Sequence, residues 1–342
     1  MWIHNSIDAL SAKTPGLHEP AASRDTPLYR AAIRQLVTKF PNVSSPLRIA
    51  FLGQETYFRS ASCEGSSEDW NFRFFALDPW IAKISDWNHV EALATFAPHV
   101  IVFFRPERQA FLVQELGRQA FVIGVFTEPL ARNNWSRSED LKIRRRNYLD
   151  ARDLQLDSII CAVPHYTKTL SSIFSVDSTV PLPVHDSIFR TGALPKPHPS
   201  SGIFVGQITE RRRYFLQELK NRYSWTVIDH GTQWINPTPF SIGINIHAGN
   251  FANHEHRIFC HMASGQVLLD EPTSFHYGMF PGTHRLVFND LHSLLALVNA
   301  IEADPRPAQR IQIRALSAIE KYRSSRVWPR VILSLIAQRS LR

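Results

Sequence analysis

The stretch HRIFCHMASGQVLLDEP, residues 256–272, decides the fold, because it contains a helix, a stop signal and a strand in immediate succession. Ile258 and Met262 lie one turn apart on one side of a predicted helix. Gly265 follows where a helix ends in the left-handed cap that glycine enters at low cost. Residues 267–269 are continuously apolar, as in a short strand buried on both faces. The stretch therefore predicts one helix-and-strand unit of a parallel sheet.

The same alternation of apolar strands with helical segments recurs on both sides of a proline-rich stretch, residues 190–201. Before it, strands are predicted at residues 48–53, 72–78, 99–104, 121–126 and 158–163. After it, strands are predicted at residues 202–206, 225–229, 241–247, 266–271 and 285–288. Predicted helices fill most gaps, among them residues 80–96, 107–119, 211–223 and 291–303. Such alternation is typical of parallel sheets covered by helices on both faces.

This pattern predicts an α/β chain with two doubly wound domains in tandem and a ligand-binding cleft between them. A length of 342 residues also fits two domains. The predicted parts are an N-terminal extension with a helix near 28–40 (1–46), a first domain (47–190), a linker (191–201), a second domain (202–315) and a helical tail (316–342).

Charge and composition narrow the classes of partner and compartment. The formal net charge of +8 favours anionic partners such as nucleotides, nucleic acid or an anionic membrane surface. No apolar run approaches the length of a membrane span, and the N-terminus lacks a secretion signal. The cysteines Cys63, Cys161 and Cys260 lie far apart, which fits a reducing cytosol. We expect a cytoplasmic protein, and no nucleic-acid partner because a continuous basic, aromatic-rich stretch is lacking.

Three loops of the second predicted domain leave strand ends, which is the edge where such sheets bind ligands. Residues 205–213, VGQITERRR, place Gly206 after a strand and arginines in the first turn of a helix. Residues 244–256 form a polar loop, and another helix begins at His256 and Arg257. Glycine lets backbone amides approach an anion, and helix N-termini add a positive dipole. Together these features predict a diphosphate-binding site.

Residues 202–219, 240–272 and 280–298 resemble the C-terminal half of glycosyltransferases with two Rossmann-like domains, the GT-B fold. They are most similar to the CgeB-like, or spore-maturation-type, glycosyltransferases. That group shows a strand ending in Asn-x-His, a polar loop, Arg-x-Phe-Glu, a small-residue helix with glycine, and an apolar strand. The matching positions are Asn245, His247, Arg257, Phe259, residues 263–265 and VLLD. The first half matches in LRIAFLG, FAPHVIVFF, GVFTEP and VPLPVHDSIF, so the resemblance covers about residues 46–325.

The resemblance implies a nucleotide-diphosphate sugar donor held by the C-terminal domain and an acceptor held by the N-terminal domain. Helix-end amides and arginines would hold the diphosphate in place of a metal ion, and no further cofactor is implied. The residues that the resemblance assigns to the donor site are Gly206, Gln207, Arg211, Arg212, Asn245, His247, His256, Arg257, Cys260, Ser264 and Gly265.

Individual roles follow from the same resemblance. Gly206 and Arg211 or Arg212 would face the phosphates, and the Ser264–Gly265 turn would support the floor of the pocket. Cys260 departs from the family, which has a glutamate there beside the nucleotide ribose, and a thiol accepts hydrogen bonds poorly. This departure leaves donor affinity and stereochemistry open. From the sequence we expect Cys260→Glu to be tolerated and to tighten nucleotide binding, unless Cys260 is a core thiol.

A metal site is disfavoured in NHEHR, residues 253–257, where two histidines flank Glu255. Residues two apart do not share a helix face, so His254 and His256 could bind one ion only from a loop. We therefore expect no bound metal, and we interpret these histidines as surface or donor-pocket residues.

Two carboxylates compete as the general base that would deprotonate an acceptor hydroxyl. Glu128, in FTEP, follows a strand of the first domain, and Glu55 lies in the loop after the first strand. The alternative is that Glu128 is an exposed loop acid or a helix cap. Arg105 also ends a strand, where it could bind an anionic acceptor or a phosphate, or pair with Glu107.

The basic, amphipathic tail, residues 323–342, has two interpretations. It could lie on an anionic membrane as a peripheral contact, or it could cross back onto the first domain, as the last helix of GT-B glycosyltransferases often does. Pro329 and the short apolar face favour packing.

The sequence thus predicts a metal-independent glycosyltransferase with a nucleotide-sugar donor and an unidentified hydroxyl acceptor. The alternative is a non-catalytic nucleotide- or sugar-binding protein of the same fold, which Cys260 in place of the family glutamate supports.

Overall fold

The computed structural model describes residues 46–77, 90–108, 110–116, 119–128, 138–228, 239–248, 255–273 and 276–339, together with residues 27, 30 and 32. The helix predicted near 28–40, the start of the helix predicted at 80–96, and most of the loop 249–256 with His254 lie outside the described residues. The described chain forms two compact units. The first contains the residues up to 183 together with 324–339, and the second contains Val184–Arg323.

The first unit is built on a parallel sheet, because its strands are short apolar runs joined by helical crossovers. Its described strands are β1 (Leu47–Gly53), β2 (Gly65–Ser66), β3 (Trp70–Ala76), β4 (Val100–Phe104), β5 (Phe121–Phe126), β6 (Ser158–Cys161) and β7 (Ser178–Thr179). They are arranged in the order β2-β3-β1-β4-β5-β6-β7, and β2 alone pairs antiparallel among them. Every residue of β4 and β5 is buried, as continuous apolar strands require.

Helices pack around this sheet. They are α1 (Glu55–Phe58), α2 (Val90–Phe96), α3 (Ala110–Leu116), α4 (Ser138–Asp150) and α5 (Pro164–Leu170). The helix predicted at residues 107–119 is shorter in the structure, because a separate turn at Pro106–Arg108 precedes α3.

The second unit repeats the arrangement with five described strands, all parallel: β8 (Gly202–Val205), β9 (Thr226–Ile228), β10 (Ile242–Asn245), β11 (Val267–Asp270) and β12 (Leu286–Val287). Their order is β12-β11-β10-β8-β9. The helices are α6 (Glu210–Tyr223), α7 (His256–Ala263), α8 (Leu291–Ala303) and α9 (Arg306–Ile319). The predicted fold class, α/β with two doubly wound domains, is confirmed.

The proline-rich stretch, residues 190–201, lies within the second unit. The Arg190 amide donates a hydrogen bond to the Ala263 carbonyl over 2.8 Å. The Gln312 side chain donates to the Pro195 carbonyl over 3.0 Å. The prolines of residues 190–201 prevent regular secondary structure. The two hydrogen bonds nevertheless attach this stretch to α7 and α9 of the second unit.

The C-terminal helix, α10 (Ser324–Arg339), belongs to the first unit. Val327, Trp328 and Ile332 are buried in the first unit's core. Trp328 Nε1 donates to the Ala61 carbonyl over 2.8 Å, and its ring centroid lies 5.2 Å from that of Phe51. The apolar side chains that a membrane-bound tail would use are thus buried in the first unit. Among the described residues, no helix is long and apolar enough to cross a membrane.

Candidate functional site

The candidate site lies at the carboxyl ends of β8 and β10, which are neighbours in the sheet of the second unit. Gly206 follows β8, and His247 lies two residues beyond β10. Two helices begin at this edge. Thr209 caps α6 by accepting a hydrogen bond from the Arg212 amide over 3.3 Å, and Glu255 occupies the position before α7. Parallel sheets bind ligands at this edge, and both helix starts add a positive dipole.

Arg212 and Arg257 lie beside each other above the Phe204 ring, with their guanidinium carbons 5.5 and 5.3 Å from its centroid. Arg212 donates to the carbonyls of Ile246 over 2.7 Å and Gln207 over 2.8 Å. Arg257 donates to the Val205 carbonyl over 3.0 Å. Burial and the charge of Arg257 lower the pKa of Arg212 to about 10.

The Glu255 carboxylate joins these cations. It lies 3.2 Å from Arg212 Nη2, forms an ion pair with Arg257, and lies 3.4 Å from His247 Nδ1. Burial would raise the pKa of Glu255, but Arg257, the hydrogen bond of His247 and Arg212 hold that pKa far below its usual value. Glu255 is therefore ionised and serves as the counter-ion of both arginines.

His247 and Arg211 extend the cluster toward β11. The Arg211 guanidinium forms a bidentate ion pair with the buried Glu271, which directly follows β11. Glu271 also accepts a hydrogen bond from the His247 amide over 2.5 Å, and Arg211 donates to the His247 carbonyl over 3.0 Å. Burial would lower the pKa of His247, but Glu255, Asp270 and Glu271 raise it.

Asn245, predicted to line the donor pocket, is occupied by a buried polar network in the described structure. Its side chain is fully buried and donates to Asp270 over 2.8 Å. Asp270 in turn forms a buried ion pair with Arg285. Asn245 therefore fixes a polar network between neighbouring strands.

Gly206, predicted to face the phosphates, has two structural roles in the described structure. Its amide donates to the Ile228 carbonyl over 2.8 Å and is thus used by the pairing of β8 with β9. Its φ is +140°, and a Cβ built on it would lie 2.4 Å from Arg257 Nη1. The glycine is needed for this backbone conformation and for the approach of Arg257. Gln207, the next residue, is exposed, and its backbone carbonyl accepts a hydrogen bond from the Arg212 side chain.

Cys260 is fully buried in the described structure, and its predicted place beside a nucleotide ribose stays a prediction. Its Sγ lies 3.7 Å from Nδ1 of His256, which is half-buried at the start of α7. Burial raises the pKa of the Cys260 thiol. Ser264 and Gly265 are also buried, and the Gly265 carbonyl accepts from Gln312 over 2.6 Å. These three residues therefore contribute to packing in the described structure.

In the first unit, Glu128 and Arg105 lie at the carboxyl ends of β5 and β4. Arg105 Nη1 is 3.0 Å from the Glu128 carboxylate, and its Nε is 3.2 Å from the buried Glu107. Arg105 adopts a left-handed backbone with φ +59°, which is uncommon for a residue with a side chain. The predicted pairing of Arg105 with Glu107 is present, and Glu128 is an additional partner.

Glu55 is the more exposed of the two candidate bases. Its side chain is 45% exposed, against 25% for Glu128, and it pairs with Arg59 over 2.6 Å in α1 and the turn after it. The structure thus gives both carboxylates an arginine partner, but only Glu128 belongs to a cluster with a second, buried carboxylate.

Sequence reasoning missed the roles of Glu255 and Glu271. The sequence places Glu255 between two histidines and directly before a predicted helix, and the second of these positions is the available signal. Glu271 ends the motif VLLDE, where an acid after a buried strand was the available signal. Within the described ranges, no group of three His, Cys, Asp or Glu side chains could hold a metal ion.

Comparison with known proteins identifies the class of fold. No family model matches the sequence, and no curated protein matches it. One similar structure is an alpha-glucosyltransferase in complex with UDP-glucose and DNA containing an abasic site. It has a TM-score of 0.54 and 10% identity, with 82% of this chain and 96% of that chain covered. HepE of Anabaena in complex with UDP-glucose has a TM-score of 0.50 and 8% identity, with 85% and 98% covered.

At these low identities the likeness concerns the fold. The chain has the GT-B fold of glycosyltransferases, with two Rossmann-like domains.

Proposed function

We propose that the chain transfers a sugar from a nucleotide-diphosphate donor to a hydroxyl acceptor, and that it is a CgeB-like glycosyltransferase. The observation that carries the proposal is the convergence of Arg211, Arg212 and Arg257 at the carboxyl ends of β8 and β10. The two solved structures described above both hold UDP-glucose. The three arginines outnumber Glu255 and Glu271, the two carboxylates that pair with them, so this edge keeps a net positive charge that favours an anionic ligand such as a diphosphate.

Arg257 and Arg211 are the cations with which a donor would make first contact. Their side chains are 14% and 29% exposed, whereas that of Arg212 is 4% exposed. Guanidinium groups bind phosphate oxygens through two parallel hydrogen bonds, and the two helix starts add their dipoles. These charges would stabilise the leaving diphosphate as negative charge develops on it. The proposed reaction therefore requires no metal ion.

Glu128 is the proposed general base if the reaction inverts the configuration of the sugar. Arg105 fixes the carboxylate, and the Tyr148 hydroxyl donates to the Glu128 carbonyl over 3.1 Å, which fixes the backbone after β5. A carboxylate held in this way can accept the proton of an acceptor hydroxyl.

The test is a screen of the full chain against nucleoside diphosphates and nucleotide sugars, with and without a chelator. A bound nucleotide at about a hundred times its Kd should stabilise the protein by about 2.7 kcal/mol, which a melting curve detects easily. Release of nucleoside diphosphate from the sugar donor, with chelator present, supports the proposed activity. Stabilisation by no nucleotide contradicts the proposal, and strict dependence on a divalent ion contradicts its metal-independent form.

A second candidate is a non-catalytic nucleotide- or sugar-binding protein of the same fold. Cys260 favours it, because a buried thiol stands where the resembling family has a glutamate. The two candidates differ in one measurement. Nucleotide-sugar binding without any donor turnover, in the presence of varied acceptors, would support the binding protein.

A further inference from the structure

Arg212 and Arg257 share one carboxylate, Glu255, at the edge where the ligand is proposed to bind. Arg212 is almost fully buried, and this burial together with the positive charge of Arg257 lowers its pKa. Two neighbouring cations removed from water need an anion, since an unpaired buried charge is strongly destabilising. In the described structure Glu255 supplies that anion.

The two arginines are also held by groups other than Glu255. The Phe204 ring lies against both guanidinium groups. The carbonyls of Val205 and Ile246 accept hydrogen bonds from Arg257 and Arg212 over 3.0 and 2.7 Å. The cationic site is therefore built into the strand ends, and removal of the carboxylate leaves both guanidinium groups with neutral acceptors.

The Glu255 side chain is bound to its three cationic partners and not to the helix that it precedes. It precedes α7 but makes no side-chain capping bond to that helix, and its backbone is extended with φ −100°. Its side chain is 20% exposed, more than those of its three cationic partners Arg212, His247 and Arg257. Displacement of the carboxylate from these cations therefore breaks no side-chain cap of α7.

We propose that Glu255 is a positioning residue that holds Arg212, Arg257 and His247 as an internal anion and is displaced when a diphosphate binds to the same cations. The inference deepens the proposed function and rests on it for the identity of the natural ligand. In the unliganded protein Glu255 thereby holds the three cationic side chains in place. Because an incoming anion must displace Glu255, the affinity for that anion is reduced.

The test compares wild-type protein with Glu255→Gln by calorimetry, using inorganic pyrophosphate and uridine diphosphate at low ionic strength. Glutamine keeps the size of the side chain and removes the competing charge. Hydrogen bonds to charged groups are strong enough that pyrophosphate should bind about tenfold to a hundredfold more tightly to the variant. Without ligand, the variant should melt at a lower temperature than wild type. Glu320→Gln is the matched control, because Glu320 pairs with Arg323 over 2.7 Å in the same unit.

Equal or weaker pyrophosphate binding by Glu255→Gln overturns the proposal. If Glu255→Gln does not fold without a ligand, the variant is refolded in the presence of pyrophosphate, and recovery of the folded state is measured. Recovery of the folded state supports the proposal, and a variant unfolded in both buffers shows a purely structural Glu255. One outcome would refute the proposed function only: Glu255→Gln binds pyrophosphate more tightly than wild type, but wild type neither binds uridine diphosphate nor transfers a sugar. Nucleotide-dependent transfer by wild type with no effect of Glu255→Gln would refute this inference only.

Discussion

The guanidinium group of Arg257 lies directly against the backbone of Gly206, so that a Cβ on this glycine would stand 2.4 Å from Arg257 Nη1. The contact joins the start of α7 to the end of β8, and Arg257 secures it by donating to the Val205 carbonyl. Gly206 also has a φ of +140°, where side chains are strained. Two independent requirements therefore select glycine at this position.

Gly206→Ala is expected to lower the free energy of unfolding and to weaken anion binding. Strain at such a backbone conformation costs about 1–3 kcal/mol, and the added methyl group must also push Arg257 out of place. Gly65→Ala separates the two effects, because Gly65 has a φ of +128° and, among the described residues other than its chain neighbours, none has a heavy atom within 4 Å of its Cβ position. Urea unfolding and pyrophosphate titration measure both quantities. If the two variants lose the same stability and neither loses pyrophosphate affinity, the Arg257 contact has no consequence.

Arg257→Ala is expected to reduce sugar transfer by at least about a hundredfold while the protein stays folded. Removal of one group that stabilises developing negative charge costs about that much in other enzymes. Glu255 keeps Arg212 and His247 as partners after the change, so the fold survives. Arg213→Ala removes a charge from an exposed position of α6 and serves as the control. Near wild-type turnover in folded Arg257→Ala would remove Arg257 from the donor site.

The parallel sheets could be predicted because each strand carries its own signal. Residues 100–104 and 121–126 are continuous apolar runs, and every one of these residues is buried in the structure. Helix boundaries have no comparable signal, since the turn at 106–108 that shortens the following helix has no periodicity of its own. Local pattern thus determined which elements form, and it left their ends approximate.

The contacts of the candidate site could not be predicted, because they join residues far apart in the chain. Arg212 and Glu255 are separated by 43 positions, and only the pairing of β8 with β10 brings them together. For Cys260 the helical period indicated a single buried face. However, α7 is covered by the sheet and also by α9, so even His261 is fully buried. Burial on several sides depends on tertiary packing that a helical period does not record.

Cys260→Glu is now expected to destabilise the second unit, in contrast to the expectation from sequence. The thiol is fully buried, and an unpaired carboxylate in such a place costs several kcal/mol. Cys260→Ala removes only a small buried group and should cost about 1 kcal/mol. Thermal melting of both variants provides the comparison. A soluble Cys260→Glu protein with wild-type stability and tighter nucleotide binding would restore the ribose contact implied by the family resemblance.

His247 is expected to make stability fall as pH rises above about 6.5, the usual pKa of histidine in an unfolded chain. Burial alone would lower the pKa of His247, but Glu255, Asp270 and Glu271 raise it. A raised pKa means that the stabilising contribution is complete below the unfolded value and is lost as pH rises through the folded value. The free energy of unfolding should therefore decline with pH in this window.

His247→Gln should remove this fall in the free energy of unfolding with pH. His292→Gln, at an exposed position, is the control and should leave the fall unchanged. Two other buried groups of the second unit have pKa values below this window. Burial raises the pKa of Asp270 to about 6 and lowers that of His261 to about 4. Urea unfolding at several pH values above 6.5 gives the slope. A slope that is equal in wild type and His247→Gln would show that His247 carries no extra proton in the folded protein.

Glu128→Gln is expected to slow sugar transfer by about a hundredfold or more and to leave donor binding unchanged. General bases contribute about that factor, and glutamine fills the same space without accepting a proton. Arg105, 3.0 Å from the Glu128 carboxylate, can still be held by Glu107 in the variant, so the first unit should stay folded. Glu55→Gln is the control, because it alters a more exposed carboxylate that pairs with Arg59. Transfer rates at saturating donor, with calorimetric donor affinities, distinguish the two. Loss of the group that takes the proton should lower the rate without changing donor affinity. Slow transfer by Glu55→Gln together with a normal rate for Glu128→Gln would therefore make Glu55 the base.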